Sequence, residues 1–124
     1  MVSRSPLSLH GPPPIAADLH LHTNHSHGKA GTEAMFIAAR IHRLSTIGFS
    51  EHSPRPAGYS YPVDYQDKLI SEFALYVREV RDIAERAALN GITVLLAIEV
   101  DYIPGQEIFA SALCRSYAFD YVIG

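Results

Sequence analysis

The sequence predicts an α/β fold in which strands and helices alternate in the order βαβαβαβ and the strands form a parallel sheet. Three observations support this prediction. Segments with apolar residues at helical spacing alternate with short apolar runs that are typical of strands. Asn90-Gly91 and Pro104-Gly105 mark turns between segments. Histidines and acids follow three of the predicted strands, at the sheet edge where parallel sheets bind ligands.

The chain begins with a serine- and proline-rich stretch over residues 1–14. Proline lacks the amide donor that a helix or an inner strand requires, so we expect these residues to form a flexible tail. Residues 15–22 then predict a short strand. Asp18, His20 and His22 alternate along it and are expected on one face.

The next two predicted elements are a helix and a strand. Thr32 is the expected N-cap of the helix, which runs to about Leu44 with apolar residues at helical spacing. A brief strand over residues 46–50 follows. Glu51 and His52 come directly after it and are expected at its carboxyl end.

The second half of the chain contains the longest predicted helix, over residues 65–89, after a proline- and tyrosine-rich loop over 53–63. Gly91 supplies the left-handed residue that ends such a helix. Residues 92–98 are almost entirely apolar, as expected of a strand that helices cover on both faces. Glu99 and Asp101 come next, and a helix over 106–116 and a strand over 119–123 complete the pattern.

Composition excludes several classes of partner. The net charge is −3 and the lysines and arginines are scattered, so no basic stripe indicates a nucleic-acid partner. No apolar run approaches the ~20 residues needed to cross a bilayer, and residues 1–14 lack the apolar core of a secretory signal. The single cysteine, Cys114, suits a reducing cytoplasm, and we expect it to be a small apolar residue rather than a nucleophile.

The clustered histidines indicate a metal site. A His-x-His pair on a strand, here His20 and His22, is often only an exposed polar face. Here His27 follows in the next loop, and His52 and Glu99 lie at the ends of other strands. Because imidazole and carboxylate are the usual ligands of Zn, Fe and Mn, this convergence favours a site for these metals.

Three segments resemble motifs of the PHP (polymerase and histidinol phosphatase) superfamily of metal-dependent phosphoesterases. Residues 18–23 (DLHLHT) resemble the opening motif, and residues 48–54 (GFSEHSP) resemble the second. Residues 98–105 (IEVDYIPG) are similar to the stretch typical of the histidinol-phosphatase branch. The resemblance implies that this chain is the N-terminal half of a distorted seven-stranded β/α barrel, and that residues 15–124 are an incomplete PHP domain.

The resemblance also implies a cluster of up to three divalent metals, Zn, Fe or Mn, in the full-length domain. His20 and His22 match ligands of the first metal, and Glu99 matches a carboxylate that bridges the first and second. His27 and His52 match ligands of the third. Family members differ in the loop after the first strand, so His25 is the alternative to His27. With the remaining ligands beyond residue 124, the 124-residue chain alone is expected to be inactive.

Other polar residues are assigned supporting roles. Asp18 and Asp101 fit positions that orient ligand rings and the bridging acid, although Asp101 fits a turn residue equally well. Glu51 stands where relatives often have Asp, and we group it with these catalytic acids. Arg55 is a candidate contact to the substrate phosphate, and the alternative is an exposed turn arginine. Tyr59 and Tyr61 could stack on a substrate ring or pack the loop down.

The expected activity is hydrolysis of L-histidinol phosphate in histidine biosynthesis, by a cytoplasmic enzyme acting on a small phosphate ester. One alternative is another PHP phosphoesterase that acts on nucleotides or other phosphate esters. The other is a metal-binding module without turnover. Neither the metal in the cell nor the oligomeric state follows from the sequence.

Overall fold

The computed structural model describes residues 16–61 and 65–124. All strand pairs are parallel, in the order β1-β2-β3-β4, which confirms the α/β class and agrees with the N-terminal half of a β/α barrel. The tail expected over residues 1–14 and the last two residues of the 53–63 loop lie outside the described ranges. The elements in chain order are β1 Ala17–Leu21, α1 Thr32–Ile41, β2 Thr46–His52, α2 Gln66–Ala88, β3 Thr93–Glu99, α3 Glu107–Arg115 and β4 Tyr121–Ile123.

The bounds of α1 differ from the prediction at both ends. Gly31 is the N-cap, and Thr32 is the first helical residue. The Thr32 hydroxyl donates instead to Glu79 Oε1 on α2, at 3.0 Å. The helix ends at Ile41, before the predicted Leu44, because Arg43 adopts a left-handed backbone with φ of 59°. A left-handed residue commonly ends a helix at this position, and it is usually glycine. Because an arginine stands here instead, no sequence signal marked this end of the helix.

Helix α2 confirms the strongest helical pattern in the sequence. Its buried side chains form one stripe, and Gly91 has the expected left-handed φ of 73° just beyond its end. The stripe packs into the core with Ile47 and Phe49 of β2 and with apolar residues of β3. The stripe comprises Leu69, Phe73, Tyr76, Val77, Val80, Ile83 and Ala87.

No helix within the described ranges is long and apolar enough to cross a membrane.

The expectation that helices cover both faces of β3 is wrong. Residues of α1, α2 and α3 all pack into a single core cluster, with Val94, Leu96 and Ile98 of β3. The alternate residues of β3, which end at Glu99, therefore lie on the opposite face. In a sheet that curls into a barrel, helices cover only the outer face, and the inner face is left for side chains and a site.

Tyr121 shows how strongly the sheet curls. Its hydroxyl donates to Leu19 O of β1 at 2.5 Å, although two strands separate β1 from β4. Neighbouring strands lie about 4.8 Å apart, so a flat sheet would hold β1 and β4 roughly 14 Å apart, too far for one tyrosine. The side chain passes directly over Gly48, where an added Cβ would overlap its hydroxyl. The inner face is therefore concave, and Gly48 leaves room for this crossing.

Candidate metal centre

Four histidines and one glutamate meet at the carboxyl ends of the first three strands. His20 is the penultimate residue of β1, and His22 follows the strand directly. His52 and Glu99 are the last residues of β2 and β3, and they are register partners in the sheet. Strand β2 extends two residues beyond its predicted end, so His52 belongs to the strand itself. His27 reaches the same point from the loop between β1 and α1.

His20, His22 and Glu99 form the first group of candidate ligands. The two imidazole Nε2 atoms lie 3.1 Å apart, and Glu99 Oε1 lies 2.9 Å from His20 Nε2 and 3.0 Å from His22 Nε2. Two nitrogens bound to one tetrahedral zinc at about 2.0–2.1 Å would lie roughly 3.3–3.4 Å apart. The three atoms are therefore spaced much as ligands of a shared ion.

His22, His27 and His52 form a second, overlapping group whose candidate ligand atoms lie within 4.8 Å of one another. His27 Nε2 and His52 Nε2 are 3.1 Å apart, and the His22 and His52 rings stack with centroids 4.3 Å apart. His52 Nδ1 is buried and has no hydrogen-bond partner among the residues that the structure describes, and it lies 3.9 Å from Glu99 Oε1. Buried polar atoms rarely lack a partner, so this nitrogen also fits a site that a cation completes.

The environment of His52 favours the protonation state that binds metals. Burial lowers the pKa of His52, and the positive charge of His22 lowers it further, against the opposing effect of Glu99. A neutral imidazole has a lone pair to offer, whereas an imidazolium has none. His52 therefore fits a divalent transition metal both in donor type and in charge, and the other residues of this centre fit in donor type.

Glu51 lies fully buried behind His22, on the side away from Glu99. Its Oε1 accepts from His22 Nδ1 at 3.2 Å and from the backbone N–H of His52 at 2.9 Å, and it also accepts from the Ser26 hydroxyl. Its Oε2 accepts from the backbone N–H and the hydroxyl of Thr23, at 3.0 and 2.5 Å. This arrangement fixes the His22 ring with Nε2 toward Glu99, as carboxylates behind metal-binding histidines do.

These hydrogen bonds decide the charge of Glu51. Burial would raise the pKa of its carboxyl, but the hydrogen bonds from His22, Ser26 and Thr23 lower it to about 2. The pKa of His22 moves the other way: burial lowers it, and the bond and charge of Glu51 together with Glu99 raise it above the ordinary value. Glu51 is therefore an anion that polarises the His22 ring.

The other predicted polar residues lie around this centre. Asp18 Oδ1 accepts from the backbone N–H of His20 at 3.2 Å. Asp101 Oδ2 accepts from Arg55 Nε at 2.9 Å, and the Arg55 guanidinium lies 3.8 Å from the centroid of the Tyr61 ring. Asp101 thus orients Arg55, and Arg55 is not a free turn residue. The Tyr61 hydroxyl donates to Ser53 O at 2.5 Å, so this tyrosine packs the loop down.

The two alternatives for the loop ligand are separated by the structure. His27 lies against His52, whereas His25 turns away and places its ring nitrogens against Glu72 and Glu79 of α2. Within the described ranges, His27 and not His25 joins the groups of candidate ligands.

Sequence analysis did not identify Thr23, Ser26 or Tyr65. The first two hold Glu51, and short hydroxyl residues between the loop histidines were the available signal for them.

The Tyr65 ring lies parallel to the His52 ring with centroids 6.2 Å apart, and it packs on Tyr61 with ring centroids 4.8 Å apart. Tyr65 stands at the N-cap of α2, and its sequence position gave no sign of this neighbourhood. Tyr59 is exposed.

Comparison with known proteins agrees with this geometry. The sequence profile of the PHP domain matches residues 18–124. The chain is also similar to a protein of Deinococcus radiodurans named "Probable histidinol-phosphatase", with 31% identity over 108 residues. The alignment covers 86% of this chain and 40% of that relative, so the chain spans less than half the length of the relative.

Proposed function

This chain belongs to the PHP domain family, and from that premise we propose that it forms part of a metal-dependent phosphatase that hydrolyses L-histidinol phosphate to L-histidinol and phosphate. The similarity to a relative named as a histidinol-phosphatase supports the choice of substrate. The resemblance of residues 98–105 to the histidinol-phosphatase branch supports it as well.

The observation that supports the reaction class most directly is the convergence of His20, His22, His27, His52 and Glu99 within one concave sheet edge. Hydrolysis of phosphate monoesters is among the slowest uncatalysed reactions, with enzymatic accelerations of up to ~10²¹, so it requires strong electrostatic assistance. A compact set of imidazoles with a carboxylate is suited to concentrate divalent cations for this purpose.

The chain's own residues have distinct tasks in this proposal. His20, His22 and Glu99 would hold one ion, and His27 and His52 would contribute to another beside it. Bound divalent ions would neutralise phosphoryl oxygens and lower the pKa of a coordinated water. Glu51 keeps the His22 ring in the tautomer with Nδ1 protonated, because its oxygen faces Nδ1 at 3.2 Å. His22 Nε2, 3.0 Å from Glu99 Oε1, would then offer its lone pair to an ion held by these residues.

Arg55 is the proposed contact to the substrate phosphate. The hydrogen bond to Asp101 uses Nε, and stacking on Tyr61 fixes the plane of the guanidinium. We propose the two terminal Nη groups as the donors of a bidentate contact to a phosphate, the geometry for which arginine is best suited. Burial would lower the pKa of Arg55, but the bond and charge of Asp101 raise it, so the guanidinium stays charged.

The test is phosphate release by the full-length protein from histidinol phosphate, a nucleoside monophosphate and an aryl phosphate, with Zn, Mn or Fe added. We expect a much higher kcat/KM for histidinol phosphate, and loss of that activity in His20→Ala. His42→Ala removes an exposed histidine outside the centre and serves as the control. Equal efficiency on the three esters would identify a general phosphoesterase. Metal binding without phosphate release would identify a module without turnover.

A further inference from the structure

His25 is a buried histidine to which the mechanism above assigns no role. Its side chain lies within the loop between β1 and α1, and the residue is only 5% exposed. Nδ1 lies 2.9 Å from Glu72 Oε1, and Nε2 lies 2.8 Å from Glu79 Oε1. The two glutamates are seven residues apart on α2, two turns of helix, so they lie on one face and hold the ring between them.

Hydrogen-bond chemistry determines what this ring can do. Both ring nitrogens of His25 are engaged by carboxylate oxygens of α2, at 2.9 Å from Glu72 and 2.8 Å from Glu79. With both nitrogens engaged on α2, the ring is turned away from the candidate metal ligands, although His25 lies two residues from His27. Its contacts instead join the loop to α2.

The loop is a closed turn in which neighbouring side chains point in different directions. Thr23 O accepts from the backbone N–H groups of Ser26 at 3.1 Å and of Gly28 at 2.9 Å. The backbone N–H of His25 donates to the Thr23 hydroxyl at 3.2 Å. Because these bonds fix the turn internally, holding the His25 ring on α2 also fixes where Ser26 and His27 project.

The two neighbours of this anchor reach the metal centre. The Ser26 hydroxyl donates to Glu51, and His27 Nε2 lies 3.1 Å from His52 Nε2. Glu79 also accepts from the Thr32 hydroxyl at 3.0 Å, which ties the first turn of α1 to the same point. Lys68 of α2 donates to Asn24 O and adds a second tie between the helix and the loop.

We propose that His25, clamped by Glu72 and Glu79, is a positioning residue that sets the placement of His27 in the metal centre. This inference rests on the proposed function of that centre. A free loop would sample many orientations of His27, and each binding event would have to select one of them. The clamp removes that selection, because α2 is itself fixed by its buried stripe in the core.

Two measurements on His25→Ala test the clamp, with His42→Ala as the matched histidine control. The first is amide hydrogen exchange at Ser26 and Gly28 in protein stripped of metal. We expect exchange at these amides to accelerate while the amides of β2 and β3 keep their protection. The second is the affinity for Zn²⁺ by chelator competition, at a temperature where circular dichroism shows native structure. We expect it to fall by about 10-fold or more, as for other residues that orient metal ligands.

Conservative replacement separates positioning from a general packing role. The side-chain amide of His25→Gln can donate to Glu79 from near the position of Nε2, so its zinc affinity should lie between those of the wild type and His25→Ala. Glu72→Ala, at a partly exposed position on the helix, should weaken zinc binding without removing any candidate ligand. This variant also decides the question if His25→Ala does not fold.

The outcomes are distinguishable from those of the proposed function. Wild-type exchange at Ser26 and Gly28 in His25→Ala would overturn the clamp, whatever the enzyme hydrolyses. Faster loop exchange with unchanged zinc affinity would also overturn it, since the loop would then not set His27. Failure of the wild-type protein to bind zinc would refute the metal centre, and the exchange data would still decide whether the loop is clamped.

Discussion

Replacing Glu51 by glutamine should destabilise the protein, even though the two side chains have nearly the same shape. Oε1 of Glu51 faces the backbone N–H of His52, and Oε2 faces the backbone N–H of Thr23. A glutamine offers one acceptor oxygen and one NH₂ group, so in either orientation its NH₂ must face a backbone donor. A backbone N–H cannot turn round, and the conflict leaves a buried donor without an acceptor.

The magnitude follows from two independent arguments. An unsatisfied buried donor costs about 1–3 kcal/mol, and loss of hydrogen bonds to a charged acceptor adds to it. The fall in the pKa of Glu51 from an ordinary 4.5 to about 2 corresponds to about 3 kcal/mol in favour of the carboxylate, at about 1.36 kcal/mol per pKa unit. We therefore expect Glu51→Gln to lower the free energy of unfolding by about 2–4 kcal/mol.

Urea unfolding followed by circular dichroism measures this loss in metal-free protein. Glu85→Gln, at an exposed position of α2, is the control and should lie within about 0.5 kcal/mol of wild type. For Glu51→Gln, zinc affinity should also fall about 10-fold to 100-fold, because the negative charge behind the His22 ring is lost. A Glu51→Gln protein as stable as the wild type would refute the argument that glutamine leaves a buried backbone N–H without an acceptor.

Three further predictions concern the metals, the candidate ligand Glu99 and the concave face. Full-length protein purified without chelator should contain Zn, Fe or Mn by elemental analysis, and chelation should abolish phosphate release. A full-length protein without transition metal even after reconstitution would contradict this. Glu99→Gln should lower kcat by at least about 100-fold and weaken phosphate binding much less, because Glu99 lies within 3.0 Å of both His20 and His22. An unchanged kcat would remove Glu99 from the centre. Gly48→Ala should cost about 1–3 kcal/mol of unfolding free energy because its Cβ would overlap the Tyr121 hydroxyl. In the double variant, Tyr121→Leu should remove most of the destabilisation that Gly48→Ala causes. If the losses of unfolding free energy in the two single variants simply add in the double variant, the contact between residue 48 and Tyr121 is refuted.

The order of elements and most of the candidate ligands were predictable from local patterns. Helical spacing identified α2, and alternation along β1 identified His20 and His22 as neighbours on one face. The rule that parallel strands present their carboxyl ends at one edge then brought His52 and Glu99 to the same place. These predictions succeeded because periodicity and strand direction depend on residues that are close in sequence.

Other features depend on contacts between distant parts of the chain. Sequence patterns left His25 and His27 as alternatives, and the choice follows from glutamates on α2 that are 47 and 54 residues from His25. The partnership of Arg55 with Asp101 spans 46 residues, and the tie from Tyr121 to Leu19 spans 102. No local pattern encodes such pairs, because a side chain in a loop turns toward whichever buried partner the folded sheet and helices bring within hydrogen-bond distance.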